Sequence, residues 1–306
     1  MRVVSLLPSA TEIVHAVGMG AAQVGRSHAC DHPPEVMELP VCTQPRCDPG
    51  GRGSTVDERI RWLVRNGLSV YQVDEDTLGA LEPDVIVTQD QCAVCAATPA
   101  DLAHAVRELL DPAPTVLTLE GKDLEGVWRD IRRVGRALGA SAKATDVVAT
   151  ARDRVRTIEG RTATSTLRPR VVLIEWIEPL MAAGNWMPEL IRLAGGDPMF
   201  GQPGVHSPWL DRTDIEAADP DIVVLIPCGY TLEETMAEAD PLLWEPWFTR
   251  LRAVRAGQLF AADGRAFFNR PGPRLVESLE ILVEILHPEL LPPSEDGRAW
   301  VRLKRA

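Results

Sequence analysis

The feature that most constrains the fold is a short pattern that occurs twice, once in each half of the chain. Residues 81–87 and 218–224 each pass from the end of a predicted helix through Pro-Asp into a β-branched apolar run. Such a run, opened by a turn-forming dipeptide, is typical of a strand buried on both faces of a parallel sheet. The repetition predicts two similar α/β lobes, and 306 residues are enough to give each lobe its own hydrophobic core.

Between the two copies, the spacing of apolar residues predicts helix. No proline occurs from residue 123 to residue 159, and valine, alanine and isoleucine recur at helical spacing in the second part of this stretch. We therefore predict an α/β fold of two similar lobes, each a central sheet flanked by helices, joined by one long helix, with a ligand cleft between the lobes. The predicted bounds are 1–140 for the N-terminal lobe, 141–162 for the connecting helix, 163–290 for the C-terminal lobe and 291–306 for a tail.

The acidic composition limits the choice of partners. The formal net charge is −12 at pH 7, whereas a protein that neutralises phosphates presents a basic face. We therefore expect no nucleic acid partner. No run of about 18 apolar residues occurs, so we expect no insertion into a membrane.

The start of the chain bears on its location. Met1-Arg2 leads directly into a short apolar run that is too brief for the core of a secretory signal. We therefore predict a cytoplasmic location, or a periplasmic or cell-surface one if an export signal has been removed. Six cysteines in a cytoplasmic chain of this size are expected to be reduced thiols or ligands rather than disulfides.

The strand that begins at Val85 ends in polar residues. Gln89, Asp90 and Gln91 follow its apolar run. In an open α/β sheet the carboxyl ends of the strands face the ligand crevice. These three side chains are therefore predicted to contact a ligand.

Two cysteines complete the same stretch. Cys92 and Cys95 have the spacing of a metal or redox pair, because two intervening residues let both sulfurs face one ion. Contact with a ligand and apolar packing are equally weighted roles for this pair, and a bound zinc or iron, with Cys30 as a third ligand, is weighted below both. Other residues that can complete such a site are His28, His32, Cys42 and Cys47.

Tryptophans and polar side chains fall near the predicted cleft loops. Large flat side chains suit a flat ligand. The aromatic candidates for ligand binding are Trp176, Trp186 and Trp209, whereas Trp62, Trp128 and Trp244 are predicted to pack between elements. The polar candidates are His28, Cys30, Asp31, Gln44, Asn269 and Arg270. A solvated loop position is the alternative for Gln44, Asn269 and Arg270, and a buried packing role is the alternative for Cys30.

Sequence motifs of common enzymes are missing. The chain contains no P-loop, no Gly-x-Ser-x-Gly elbow and no His-Glu-x-x-His motif. We therefore predict a binding protein rather than an enzyme.

Several segments, taken in order, resemble one family. They are residues 2–12, the two Pro-Asp strands, the long helix, residues 207–209 and residues 266–274. With these segments the chain is similar to the helical-backbone (class III) substrate-binding proteins of ABC transporters for cobalamin, haem and ferric siderophores, and most similar to the cobalamin branch. The similarity spans roughly residues 1–287, and its order of motifs is more specific than any single motif.

The resemblance implies a flat tetrapyrrole as ligand, with cobalamin or a related corrinoid as the first expectation. It places Phe267 and Phe268 at an aromatic contact with that ligand. It also implies docking to a membrane permease through one acidic residue on each lobe. Asp76 lies at the first such position but Thr213-Asp214 at the second, and this departure argues against docking.

Three hypotheses stay open at this point. The chain is a cytoplasmic corrinoid or tetrapyrrole receptor; or it is a thiol-metal enzyme or redox protein of cobamide or haem metabolism; or it is a transport receptor without its export signal. An axial ligand from His28, Cys30 or the Cys92 and Cys95 pair fits the first hypothesis. Reactive thiols of low pKa fit the second.

Overall fold

A computed structural model describes residues 1–48, 50–66, 70–89, 102, 106 and 112–304. Asp90, Gln91, Cys92 and Cys95 lie outside the described residues. The chain divides into two compact units, which are described separately here. The first contains Met1–Gly51, Thr55–Gly121 and Glu125–Thr150; the second contains Arg52–Ser54, Lys122–Leu124 and Ala151–Ala306.

A four-stranded parallel sheet forms the centre of the first unit. Its order is β2-β1-β5-β6, and a separate antiparallel pair joins β3 to β4. The strands are β1 Val3–Ser5, β2 Gln23–Arg26, β3 Thr43–Pro45, β4 Tyr71–Val73, β5 Val85–Gln89 and β6 Thr115–Leu119. The described helices along this part of the chain are α1 Pro8–Ala16, α2 Gly53–Arg65, α3 Glu75–Ala80 and α4 Leu124–Ala137. All five residues of β5 are buried, as its apolar run predicts.

One long helix crosses the boundary between the two units. Helix α5, Ser141–Thr162, has the bounds predicted for the connecting helix. Its first ten residues cluster with the first unit and the others with the second. Among the described residues, no helix is both long enough and apolar enough to cross a bilayer.

A second sheet forms the centre of the second unit. Its order is β12-β11-β10-β7-β8; β9 also pairs with β7, and β7, β10 and β11 are parallel. The strands are β7 Arg170–Trp176, β8 Met181–Ala182, β9 Asp197–Pro198, β10 Ile222–Leu225, β11 Leu259–Ala262 and β12 Trp300–Arg302. The helices are α6 Met187–Leu193, α7 Arg212–Ala218, α8 Leu232–Ala239, α9 Pro246–Thr249, α10 Arg252–Arg255 and α11 Leu275–Leu286. The predicted α/β class is confirmed in both units.

The Pro-Asp repeat has the same hydrogen bonds in both units. Asp84 accepts a hydrogen bond from the backbone N–H of Arg2 at 2.6 Å, and Asp221 accepts one from the N–H of Arg170 at 2.8 Å. In each case the aspartate immediately precedes one strand, and the arginine opens or immediately precedes the strand beside it. Each carboxylate therefore accepts a hydrogen bond from a backbone N–H at the amino ends of the strands, which explains why Pro-Asp recurs.

Two predictions about packing are wrong. Trp62 and Trp244 are 60% and 61% exposed, so neither packs between elements, whereas Trp128 is buried as predicted. The segment predicted as a tail also contributes β12, which pairs antiparallel with β11. Trp300 within β12 is buried edge-on against Phe260, and that contact brings the strand onto the sheet.

Candidate functional site

A buried hydrogen-bonded network lies beside β1 in the first unit. Thr11 contacts Ser5 at 2.5 Å between the hydroxyl oxygens and donates to the Cys30 sulfur at 3.0 Å. Gln23 donates to the Ser5 hydroxyl at 2.8 Å. Buried polar groups cost free energy unless they are hydrogen-bonded, so each member stabilises the others. Cys30 is fully buried, and this structure gives its sulfur a place in the network.

His28 lies on the loop after β2, at the carboxyl end of that strand. Its Nδ1 is 2.8 Å from the hydroxyl oxygen of Thr43, which in turn donates to Ser27 at 3.1 Å. Because that hydroxyl proton is used, we assign the imidazole proton to Nδ1. The described residues make no hydrogen bond to Nε2, so its lone pair is available to a ligand.

Burial sets the charge of this imidazole. Loss of solvent lowers the pKa of His28 below 6.5, and the nearby guanidinium of Arg26 lowers it further. The ring of Tyr71 lies 5.1 Å from the imidazole ring between centroids. The imidazole is therefore neutral at pH 7, which is the form that binds a metal. Thr43 and Tyr71 were not predicted, since nothing in the sequence links them to His28.

The other predicted residues of the first unit lie at different depths. Gln44 follows the buried Thr43 along β3 and is exposed, as strand alternation requires. Asp31 is half-buried, and Gln89 is buried at the carboxyl end of β5. Gln44 and Asp31 are thus accessible to a ligand in this structure, whereas Gln89 is packed.

An aromatic pair lies at the carboxyl end of the second sheet. Trp176 ends β7, and its ring meets that of Tyr230 edge-on at 5.6 Å between centroids. The Trp176 indole N–H donates to the backbone carbonyl of Glu178 at 3.0 Å, which fixes the ring orientation. Among the described residues the buried Tyr230 hydroxyl has no hydrogen-bond partner, and burial raises the pKa of Tyr230 to about 12. Tyr230 was not predicted.

A half-buried carboxylate lies at the same edge. Glu175, next to Trp176, accepts a hydrogen bond from the Ser207 hydroxyl at 2.8 Å, and Ser207 accepts one from the Gly184 N–H at 3.1 Å. These bonds hold the segment that carries Trp209 beside β8. Trp209 is 54% exposed, so its ring is accessible to a ligand.

The turn after β11 is a single π-helical turn, Gly264–Phe268. Asp263 accepts a hydrogen bond from the Ala266 N–H at 2.7 Å, and burial raises the pKa of Asp263. Only glycine fits at 264, because an added Cβ atom would lie 2.3 Å from the Pro227 carbonyl oxygen. Such π-turns occur frequently at functional sites.

Most of the predicted residues of this turn face inward. Phe267, Phe268 and Arg270 are each at most 7% exposed, and Asn269 is half-buried. Trp186 is also 7% exposed, and its indole N–H donates to the Phe268 carbonyl at 3.0 Å. In this structure Trp186 and the two phenylalanines make packing contacts. The accessible or strand-end positions are those of Trp176, Trp209 and Tyr230.

The described cysteines do not form a metal site. Within the described ranges, no group of three or more histidine, cysteine, aspartate or glutamate side chains is placed to hold an ion. Burial raises the pKa of Cys42 to about 12, which makes that thiol a poor ligand. The predicted site at Cys92 and Cys95 involves residues outside the described ranges and stays a prediction.

Known proteins similar to this chain are binding proteins. The vitamin B12-binding protein of Vibrio cholerae serotype O1 is 24% identical over 280 residues, which cover 91% of this chain and 86% of that protein. An uncharacterized ABC transporter substrate-binding lipoprotein, YvrC of Bacillus subtilis (strain 168), is 24% identical over 297 residues, covering 94% of this chain and 80% of that protein.

Solved structures share the fold. A periplasmic haem-binding protein from Pseudomonas aeruginosa superposes with a TM-score of 0.74 at 21% identity and covers 100% of this chain and 99% of its own. The periplasmic vitamin B12 binding protein BtuF of Vibrio cholerae superposes with a TM-score of 0.65 at 22% identity, covering 93% and 96%. A family profile described as periplasmic binding protein matches residues 3–266, so the chain belongs to the periplasmic binding protein family.

Proposed function

We propose that this protein binds a corrinoid or a related metal tetrapyrrole. Membership of the periplasmic binding protein family makes the chain a binding protein rather than an enzyme, as predicted. Three of the four named relatives bind, by their names, vitamin B12 or haem, both of which are large, flat, metal-containing rings. The observation that carries the proposal is the aromatic surface at the carboxyl end of the second sheet, made by Trp176, Tyr230 and Trp209.

The aromatic surface suits a flat ring in two ways. Trp176 and Tyr230 are fixed edge-on to each other, so a ligand finds their surfaces already oriented. Trp209, held beside β8, adds a ring that is more than half exposed. In a chain that is only 5% aromatic, a concentration of rings at the strand ends favours a ligand with a large apolar face.

His28 supplies a group that can bind the metal of such a ligand. Its neutral imidazole offers Nε2, while the bond from Nδ1 to Thr43 fixes the ring orientation. The metal here belongs to the ligand and is not a resident cofactor. We propose Asp31 and Gln44 as further contacts in the first unit, because both remain accessible.

An ultraviolet–visible titration tests the proposal. Purified full-length protein is titrated with cyanocobalamin and, separately, with haem. A saturable band shift at one equivalent with either ligand is the expected result. If neither ligand changes its spectrum and calorimetry detects no heat, the proposal is wrong.

Matched tryptophan variants assign the site. Trp209→Ala and Trp176→Ala are each expected to weaken binding by about tenfold, since the lost aromatic contact is worth about 1.5 kcal/mol. Trp244→Ala is the control, because Trp244 is as exposed as Trp209 but lies next to Leu243, near the amino end of β11. Equal weakening by all three substitutions contradicts the assignment.

A histidine variant separates coordination from simple contact. His28→Gln keeps a polar side chain of similar size but removes the imidazole nitrogen. We expect the Soret shift of bound haem to change in this variant while binding persists through the aromatic rings. An unchanged Soret band removes His28 as the metal ligand.

We also propose a supporting layer beneath the ligand surface, made by the buried residues Trp186, Phe267, Phe268 and Arg270 and the half-buried Asn269, with Gln89 and Cys30 in that role in the first unit. For Asp90, Gln91, Cys92 and Cys95 the sequence argument stands alone. Metal analysis of the protein as isolated tests the thiol site. Zinc or iron that is lost in both Cys92→Ser and Cys95→Ser supports it, and an absence of metal in the parent protein contradicts it.

The cellular role is a further part of the proposal. The names of the relatives include a substrate-binding lipoprotein and periplasmic proteins, and give no support to the predicted cytoplasmic location. We propose a substrate-binding component of an ABC transporter. Fractionation of cells that express the natural gene with a C-terminal tag tests this: recovery in the cytosol alone contradicts it.

A further inference from the structure

A second concave site lies on the second unit, away from the aromatic surface. A pocket of about 280 Å³ is formed where α10 leads into β11 and where β12 ends. Leu259 is the first residue of β11, so this is the amino end of the parallel strands. The aromatic surface lies at the carboxyl ends. The pocket and the proposed tetrapyrrole site therefore lie at opposite edges of one sheet.

The rim of this pocket is basic. Arg255, Arg302 and Lys304 line it, in a chain whose net charge is −12. Within the residues described, none of the three forms an ion pair. Cations that are clustered without counter-ions repel one another, and a bound anion relieves that repulsion. The rim therefore favours a negatively charged group.

One of these cations is held in place. Arg302 on β12 pairs with Phe260 on β11, and its guanidinium lies 5.1 Å from the centre of the Phe260 ring. The Leu303 N–H also donates to the Leu259 carbonyl at 2.9 Å, which fixes the backbone beside it. Strand alternation puts Phe260 and Arg302 on one face of this strand pair and Leu259 and Leu303 on the other, so the guanidinium lies at the edge of the pocket, beyond its apolar floor.

The floor of the pocket is apolar. Leu243, Val254 and Leu303 are partly buried and pack against the core cluster of the second unit. Their exposed surface faces the pocket that they line, so a ligand that covers it gains hydrophobic free energy. A bare phosphate or other small polar anion leaves that floor in water. The floor therefore favours a ligand with an apolar portion.

We propose that this pocket binds an amphipathic carboxylate, with the carboxylate at the basic rim and a short alkyl chain on the leucine and valine floor. The volume lies just below the range for drug-sized ligands, which begins at about 300 Å³. A medium-chain carboxylate is small enough for a pocket of this size. The site is independent of the tetrapyrrole proposal.

Isothermal titration of the full chain with octanoate tests the proposal, with two comparison ligands. Acetate has the carboxylate without the chain, and octyl glucoside has the chain without the charge. We expect octanoate to bind at one site, at least about tenfold more tightly than either comparison ligand, and more weakly as salt is raised. Equal affinity for acetate, or equal affinity for octyl glucoside, contradicts the proposal.

Two arginine variants locate the binding. Arg302→Gln is expected to weaken octanoate binding by about tenfold, because a charge-assisted bidentate contact is lost. Arg298→Gln is the matched control, since Arg298 is an exposed arginine nearby in the sequence that pairs with Glu295 at 2.7 Å and does not line the pocket. An unchanged affinity in Arg302→Gln, or an equal loss in Arg298→Gln, overturns the assignment.

A competition experiment separates this site from the proposed function. Octanoate at saturation is expected to leave the cyanocobalamin or haem titration unchanged, since the two sites lie at opposite edges of the sheet. Competition between octanoate and the tetrapyrrole would place both in one site and overturn the proposal. If no tetrapyrrole binds at all, the octanoate titration still decides the present inference alone.

Discussion

The two sheets of this protein begin alike and end differently. At the amino ends of their strands, Asp84 and Asp221 make the same bond to a neighbouring backbone N–H. The residues before the two Pro-Asp pairs, Glu82 and Asp219, also share a left-handed φ, of 40° and 37°. At the carboxyl ends, the first sheet has a network of hydroxyl, amide and thiol groups, whereas the second has an aromatic pair and a π-turn.

This difference shows which ends serve the fold and which ends vary with the ligand. The amino ends satisfy backbone donors, a requirement that is the same for any parallel sheet. The carboxyl ends face the ligand in open α/β sheets, so their side chains are free to differ. A repeated sequence pattern here marks a shared folding device, and the unrepeated segments after each strand are where we propose the binding chemistry.

The largest expected effect comes from a substitution that disrupts the π-turn after β11. Gly264→Ala would place its methyl carbon 2.3 Å from the Pro227 carbonyl oxygen, so we expect a loss of about 3 kcal/mol in the free energy of unfolding. Gly79→Ala in α3 meets no atom within 4 Å and is expected to stabilise the chain by about 0.5–1 kcal/mol. Urea unfolding monitored by tryptophan fluorescence, together with hydrogen exchange, measures the change in stability of both variants. Equal changes contradict the prediction.

The next effect tests the shared amino ends. Asp221→Ala removes the bond to Arg170 and an ion pair to Arg252 at 3.0 Å, and should cost about 1–2 kcal/mol. Asp84→Ala should cost less, about 1 kcal/mol, since Asp84 is more exposed to solvent. Asp146→Ala, on the exposed face of α5, is the control and should change stability by at most about 0.5 kcal/mol. If neither Asp84→Ala nor Asp221→Ala lowers the free energy of unfolding more than Asp146→Ala does, the repeated aspartate hydrogen bonds do not contribute to stability.

A smaller effect appears as pH dependence in the first unit. Because burial lowers the pKa of His28 below 6.5, the unfolded chain binds more protons than the folded chain just below pH 6.5. The contribution of the neutral His28 imidazole to the free energy of unfolding is therefore complete above pH 6.5. It is lost as the pH falls through the pKa of His28 in the folded chain. Proton NMR titration of the imidazole should give a midpoint below 6.5, and His28→Gln should flatten this part of the stability profile. A midpoint above 6.5 contradicts the assignment.

The smallest effect concerns thiol reactivity, compared within and between the units. Cys42 is fully buried and its pKa is raised to about 12, so iodoacetamide should label it slowly under native conditions. Cys47 and Cys228 are half-buried, one in each unit, and should be labelled before it. Mass spectrometry of timed digests gives the order. Rapid labelling of Cys42 would show that the first unit opens readily or that its thiol is activated.

Local sequence signals predicted much of the fold. Apolar runs after Pro-Asp located β5 and β10, and the proline-free stretch with helical spacing located α5 with its bounds. The strand β12 was missed because three residues in a charged, proline-rich segment carry little periodicity. It forms because Trp300 packs on Phe260, a contact between residues far apart in the sequence.

The candidate site was less accessible to prediction. Trp186 and Trp209 are both tryptophans in loops, yet one is buried under Phe268 and the other is exposed. Tyr230 was missed because only its contact with Trp176 distinguishes it from any other loop tyrosine. Loop sequence indicates that a side chain is near a strand end, but exposure depends on neighbours that come from other segments.

By itself, the sequence determined the α/β class, the repeated strand, the long helix and the resemblance to a family, because each depends on local periodicity or on motifs in order. Only the tertiary structure decided which rings are exposed, which imidazole nitrogen is available and that Arg255, Arg302 and Lys304 surround one pocket. The physical reason is that burial, pKa and hydrogen-bond pairing are properties of surroundings. Those surroundings are assembled from distant parts of the chain.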